Sequence, residues 1–281
     1  MPEIARAGGS PRVWRLLLPA AAFALPLLVT AAGAWLAWRS AWRAAEAEVT
    51  GAAEAAAEYA RRTLDGLLLR ADMANEVLRG LSDEEIRARE EELHRALRRI
   101  PERTGESGAL HIFVHDREAR SLVSGSLFPV PPPERSFEHR EFNAALRGED
   151  APRAHVSPAY LGEETHRAFF AVSRRREGGA NGLPPGAYDG VIAVSTDVAA
   201  LGEGLGRLVA RPENGDILSL TRFDGQVLAR SVPVPGPLPR VALRSDFARA
   251  GPGGAERGTV YGASLVDGVV RLSANRRVVE W

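Results

Sequence analysis

Twenty-three consecutive residues, Leu16 to Trp38, carry no charge and stand between Arg15 and Arg39. As a helix with 1.5 Å of rise per residue the run is about 34 Å long, enough to cross the hydrocarbon core of a bilayer. Pro19 and Pro26 would disrupt a soluble helix, but proline is tolerated in membrane helices, and Trp35 and Trp38 stand where an interfacial aromatic belt would lie. The competing reading is a cleaved signal peptide, whose apolar region spans about 7 to 15 residues and precedes a small-x-small cleavage site. The run here is longer and leads into an Ala-rich helical stretch, which favours an uncleaved anchor. Arg6, Arg12 and Arg15 precede the span, while Arg39 and Arg43 follow it with Glu46 and Glu48 close behind. This small bias predicts a cytoplasmic N-terminus over 1–15, a transmembrane helix over 16–38 and everything after it outside.

The 281 residues allow about two domains. Thirty-six basic residues balance 36 acidic ones, so no overall field draws the chain to nucleic acid. Every basic residue is Arg, because the chain has no Lys, and it has no Cys. Disulfides, thiolate nucleophiles and zinc ribbons are thereby excluded. So are a Walker phosphate loop, Schiff-base chemistry and a protein-kinase strand lysine.

From Arg39 to about Gly80 the chain is rich in Ala, Glu, Arg and Leu and lacks Pro. Leu64, Leu67, Leu68, Ala71, Val77, Leu78 and Leu81 recur at three-to-four spacing. This predicts a long amphipathic helix whose apolar stripe is either a homodimer seam or, more commonly, the face that packs on the following domain. Ser82-Asp83-Glu84-Glu85 reads as a capping box opening a second helix through about Arg99, ended by Pro101. The helical stalk is therefore assigned to 39–100.

After Pro101 the pattern becomes that of a sheet. Ala109–His115 and Ser121–Leu127 flank an Asp116 turn; a Pro-rich loop, Phe128–Glu134, and a short helix over about Glu138–Leu146 follow. Strand-like runs come at Ala154–Tyr160, Arg167–Arg175 and Gly190–Ser195, with a Gly/Pro turn over 178–186, and Asp197 is placed to cap a helix ending near Leu208. Ile217–Ser231 then repeats the strand, Asp turn, strand form of His111–Ser126, with Asp116 and Asp224 as matching turn residues 108 apart. A further hairpin covers Gly258–Val279. The fold class is α+β: a transmembrane helix, a helical stalk and two tandem PAS-like antiparallel-sheet modules, 101–210 and 211–281, the second read as incomplete.

Phe137-Glu138-His139-Arg140-Glu141-Phe142, Val156-Ser157-Pro158, Ala171-Val172-Ser173-Arg174-Arg175, Gly190–Ser195 and Phe223-Asp224-Gly225 occur in that order. This arrangement resembles the extracytoplasmic double Cache sensor domains, relatives of PAS folds, found in bacterial histidine kinases, chemoreceptors and cyclic-dinucleotide enzymes. The resemblance implies a distal module that binds a small ligand, with Arg140, Phe142, Tyr160, His166, Arg174 and Ser195 as candidate site residues. It also implies a location at the bacterial inner membrane. Family members that bind amino acids use an Arg-x-Trp-Tyr segment and an Asp in the closing strand. Here those places hold His139-Arg140-Glu141-Phe142 and Ser195, and a serine supplies no carboxylate for a ligand ammonium group. The departure points away from an amino acid and toward a carboxylate or other anion, which the planar donor fork of Arg suits. The arginines' other use is solvation or pairing with Glu138, Glu141 or Glu164.

Other chemistry finds little support. His111 and His115 share a face of one strand but lie about 13 Å apart, too far to chelate one ion. Gly202-Glu203-Gly204-Leu205-Gly206 lacks the phosphate-loop spacing and reads as a loose helix C-terminus. No Gly-x-Ser-x-Gly elbow exists, and pairs such as Glu163 with Glu164, or Glu90 to Glu92, read as solvated carboxylates. Arg174-Arg175-Arg176 reads as a strand end at the surface. The sequence thus predicts a membrane-anchored sensor, the input half of a histidine kinase or similar receptor, with no cofactor, no metal, no catalysis of its own and no nucleic-acid partner. Its expected partners are a small ligand, the lipid bilayer and a second copy. The alternatives are an anchored scaffold or assembly protein without a ligand and, third, an anchored hydrolase.

Overall fold

The computed structural model describes residues 11–102, 110–132, 134–162, 166–177, 181–184, 187–234, 236–240, 257–264 and 266–278. Residues 1–49 and 50–281 are separate compact units. In the first unit the chain is helical from Pro11, within α1 (Pro11–Leu78), and Pro19 and Pro26 lie inside the helix as expected. The Thr30 hydroxyl donates to the Pro26 carbonyl at 2.8 Å. Phe23, Leu25, Leu27, Leu28, Trp35, Leu36 and Trp38 all stand exposed. Among the described residues this helix is the one long and apolar enough to cross a membrane.

In the second unit the apolar stripe of α1 turns inward. Leu64, Leu67, Leu68, Ala71 and Leu78 are buried, and they join Ile86 of α2 (Asp83–Ala88) and Leu93, Leu97 and Ile100 of α3 (Glu90–Glu102) in one core cluster. The sequence suggested a single helix over 82–99. The capping box is present, with Ser82 Oγ accepting from the Glu85 N–H and Glu85 accepting from the Ser82 N–H. The helix breaks at Arg89, however, whose backbone leaves helical geometry at φ −109°, ψ 23°.

Six strands form the distal sheet: β1 (Leu110–His115), β2 (Ser121–Ser124), β3 (His155–Val156), β4 (Tyr160–Leu161), β5 (Ala168–Glu177) and β6 (Tyr188–Asp197). Their order is β2-β1-β6-β5-β3, with β4 also on β5 and every pairing antiparallel. The expected strand over 154–160 is two short pieces. Ser157 still exchanges hydrogen bonds with Ala171, but Pro158 has no N–H to continue the ladder. Gly190 has φ +100°, and a Cβ there would collide with the His115 carbonyl, so β1 and β6 approach this closely only with glycine at that place.

Strand alternation divides the sheet's two faces. Ile112, Val114, Phe170, Val172, Ile192 and Val194 belong to the cluster that contains the α1 stripe. Phe142, Leu146, Ala171, Val191 and Ala193 form a second buried cluster with Phe113, Tyr160, Phe169 and Tyr188 packed against it, and α4 (Glu141–Ala144) covers this face.

Asp197 accepts from the Ala199 N–H and caps α5 (Val198–Gly206). Two of the three glycines of α5 are tightly packed rather than loose: a Cβ on Gly202 would lie 2.6 Å from the Arg230 carbonyl, and one on Gly204 would collide with the Tyr59 hydroxyl. Among the described residues the proximal module holds two two-stranded sheets, β7 (Ser219–Thr221) with β8 (Val227–Arg230) and β9 (Arg257–Ala263) with β10 (Val270–Arg276). Leu220, Leu228 and Ala229 extend the α1 cluster into it, so the two modules share a core.

The internal repeat is present, in a corrected register. The Asp116 N–H donates to the Arg120 carbonyl and the Ala119 N–H to Asp116; the Arg222 N–H donates to Gln226 and the Gly225 N–H to Arg222. Ala119 and Gly225 both have positive φ, and bulges fall after Val114 and after Leu220. Asp116 therefore corresponds to Arg222, an offset of 106, whereas the sequence motif had paired Asp116 with Asp224 at 108.

Candidate functional site

Three consecutive residues at the start of α4 converge on Tyr160. Arg140 lays its guanidinium over the Tyr160 ring, 4.6 Å from the centroid. The Glu141 N–H donates to the Tyr160 hydroxyl at 2.9 Å. Phe142, 3% exposed, inserts edge-on between Phe113 and Tyr160, with centroids at 5.2 and 5.9 Å. Tyr160 continues to Phe169 at 6.0 Å. Burial raises the Tyr160 pKa above its ordinary value, and the hydrogen bond from Glu141 opposes that. The phenol is thus a neutral hydroxyl.

Ser195 lies on this same face. It pairs with Ala171 on one side and His111 on the other, and its hydroxyl reaches the His111 carbonyl at 3.5 Å. Further along β1, His115 is buried and stacks on Phe137 at 5.2 Å with planes 7° apart. Asn143 Nδ2 donates to the Phe137 carbonyl, which leaves Asn143 Oδ1 to accept from His115 Nδ1–H at 3.0 Å. That hydrogen bond makes Nε2 the acceptor nitrogen of a neutral ring. Burial drives the His115 pKa down to about 4, against the opposing pull of Asn143 and Asp116. Burial also lowers His111, opposed by Asp197.

Of the residues singled out in the sequence, Arg140 and Phe142 thus both contact Tyr160, and Ser195 lies on the same sheet face. Arg174 and His166 do not. Arg174 alternates to the opposite face, where its guanidinium pairs with Asp72 of α1 and, at 2.7 Å, with Glu177. Its sequence motif marks a strand packed on the stalk helix. His166 is exposed at the tip of the β4–β5 connection, with φ 52° and its N–H on the Gly162 carbonyl. Glu163 and Glu164 lie outside the described residues. Arg176, the third arginine of the triplet, is buried rather than at the surface and pairs with Asp83 at 2.5 Å and Asp189 at 2.9 Å. Among the described residues no three His, Asp or Glu side chains are placed to hold a metal.

Phe113, His115, Phe137, Asn143 and Phe169 are part of this face, but none of them stands out in the sequence as a ligand-site residue: His115 figures there only as half of a rejected metal pair and Phe137 only as part of the helix motif. The available signal was alternation: His111, Phe113 and His115 had to share one side of a strand. The rings of the face pack one against the next in a chain from Phe113 through Phe142 and Tyr160 to Phe169. Clefts of about 230 and 210 Å³ lie elsewhere, one between Glu54 and the Arg257–Arg276 end of the last hairpin, the other between Met73, Val77 and Ile100.

No family model and no curated protein matches the sequence. Solved structures do match. The extracellular domain assigned to the histidine kinase rpHK1S-Z16 superposes with a TM-score of 0.69 at 20% identity, over 86% of this chain and 92% of that one. The ligand-binding domain of the Campylobacter jejuni chemoreceptor Tlp3, solved with L-norvaline, superposes with a TM-score of 0.51 at 11% identity, over 68% and 71%. The chain therefore shares the fold of these two domains, an extracellular domain assigned to a histidine kinase and a chemoreceptor ligand-binding domain, and this is the double Cache fold that its motifs resemble.

Proposed function

We propose that this protein is a membrane-anchored sensor, the input part of a histidine kinase or similar receptor, and that it binds a small ligand carrying a carboxylate or other anionic group beneath α4. The observation that carries this reading is the convergence of α4 on the aromatic face, with a guanidinium at its rim and neutral donors and acceptors within. The exposed apolar side chains between Phe23 and Trp38 are those that a bilayer would cover.

The chemistry of the face argues against a ligand ammonium group. Ser195 offers no charge. Asp197, one step further along the same strand face, is already engaged by the Ala199 N–H at 2.7 Å and by Arg167 at 3.4 Å. An anion is matched in charge by the planar cation of Arg140, which lies over the Tyr160 ring, and in hydrogen bonding by the hydroxyls of Tyr160 and Ser195.

Thermal unfolding of the full chain in nanodiscs, titrated with acetate, pyruvate, succinate and L-valine, tests the proposal. A ligand at about 100 times its Kd stabilises by about 2.7 kcal/mol, which raises Tm by about 5 °C or more in a domain of this size. One of the carboxylates is expected to do so, L-valine is not, and Arg140→Ala is expected to abolish the shift. No shift with any carboxylate, or a shift that survives in Arg140→Ala, would sink the assignment.

A further inference from the structure

The Arg222 guanidinium uses all three nitrogens, and two of them leave its own module. Nη1 donates to the Val156 carbonyl of β3 at 2.9 Å and Nη2 to Glu141 Oε1 of α4 at 2.6 Å, while Nε lies 3.3 Å from Asp224 in its own turn. Asp224 is held in turn by Arg240 at 2.5 Å. His155 of β3 closes the group, its Nε2 being 3.2 Å from Glu141 Oε1 but out of hydrogen-bonding alignment. The Arg222 side chain is 15% exposed and that of Glu141 37%, so the pair is partly shielded compared with a fully exposed ion pair.

The internal repeat makes this arrangement specific. The equivalent place in the distal hairpin is Asp116, whose carboxylate stays within the distal module, accepting from the Glu118 and Arg120 N–H groups and from Arg87 of α2. The same hairpin therefore carries opposite charges at one position, turned inward in the first copy and toward the other module in the second. Its target, Glu141, sits between Arg140, which stacks on Tyr160, and Phe142, which plugs the aromatic face. A displacement of α4 that moves either neighbour must move Glu141 as well.

We infer that the Glu141–Arg222 ion pair, seated on the Val156 carbonyl, is the coupling element that makes the cover of the distal face and the β7–β8 hairpin of the proximal module open and close together. This deepens the sensor reading by assigning the contact through which occupancy beneath α4 would be passed toward the proximal module. The physical requirement is a shared element whose state both sides bias, and a fork bridging helix, strand and hairpin meets it.

Amide hydrogen exchange of the full chain in nanodiscs, without ligand, tests the coupling in wild type, Glu141→Gln, Arg222→Met and the double variant. Exchange in residues 137–147 is expected to rise about tenfold in Arg222→Met, although the altered residue lies 81 positions from Glu141, and exchange in 218–231 is expected to rise in Glu141→Gln. The double variant should match the worse single one, with β5 and β6 protected as in wild type. If each single variant loosens only its own segment, or the effects simply add, the coupling is refuted. Should Arg222→Met lose protection in β5 and β6, Arg222→Lys replaces it; its single ammonium cannot hold carbonyl and carboxylate as a fork, so 137–147 must still loosen. Because no ligand is present, this outcome is independent of the carboxylate titration, and either can fail alone.

Discussion

His115 shows how much of a residue's behaviour comes from its neighbours. Its folded-state pKa of about 4 lies below the unfolded value of about 6.5, so the unfolded chain binds the extra proton between these limits. The stability contributed by keeping the ring neutral is fully present above about pH 6.5 and is lost as pH falls toward 4, by about 3 kcal/mol in total. His111 and His155 are also lowered by burial and lean the same way, so the comparison must be with a variant. Urea unfolding at pH 7, 5.5 and 4.5 is expected to show His115→Phe less stable than wild type at pH 7 but with a shallower loss on acidification. Equal slopes would remove His115 as the cause. The sequence placed this residue on a strand beside Phe113, but the stacked Phe137 and the Asn143 acceptor are distant in the chain, and they determine which nitrogen carries the proton. Arg174 teaches the converse lesson. The motif resemblance placed it in one site with Ser195, but the β5–β6 register puts Ser195 on the face of Ala171, and Arg174 faces the other way toward Asp72, 102 residues away on the stalk helix.

At the scale of elements, local chemistry was legible wherever a single side chain or a missing N–H decides. The Ser82 capping box and the Asp197 cap are where the sequence puts them. Ser82→Ala is expected to cost about 1 kcal/mol, measured as a shift in the denaturant midpoint at unchanged m. A change well below that would mean the α2 terminus is held by the Asp83 contacts to Asn181 and Arg176 instead. Pro158 marks the gap between β3 and β4, since no ladder hydrogen bond can form there. The break at Arg89 had no such sign, because Arg is a good helix former and nothing in 83–99 interrupts the periodicity. The hairpin repeat was visible as a motif but mis-registered by two residues, because turn position is set by backbone hydrogen bonds and positive φ, and the aspartates were the more conspicuous feature.

For the whole molecule, the stalk stripe had two uses open to it, and burial distinguishes them. Leu67 is 1% exposed within the cluster that also holds Val172, Ile192 and Leu228, so the stripe is occupied by this chain's own two modules. Leu67→Ala is expected to destabilise by about 2–5 kcal/mol, by the same amount over a hundredfold range of protein concentration. A loss that varied with concentration would return the stripe to a seam between copies. The long uncharged run, the amphipathic stalk, the strand order along the chain and the existence of a repeat follow from hydrophobic period and turn chemistry, which act over a few residues and can be read from a string of letters. Which arginine stacks on Tyr160, which one bridges to Glu141 and which are consumed by Asp72 or Asp189 depends on strand register and on close approach at glycines such as Gly190 and Gly202. Those contacts join residues tens of positions apart, and the energy of a charged pair is decided by distance and burial once the chain has closed, so no local pattern announces them.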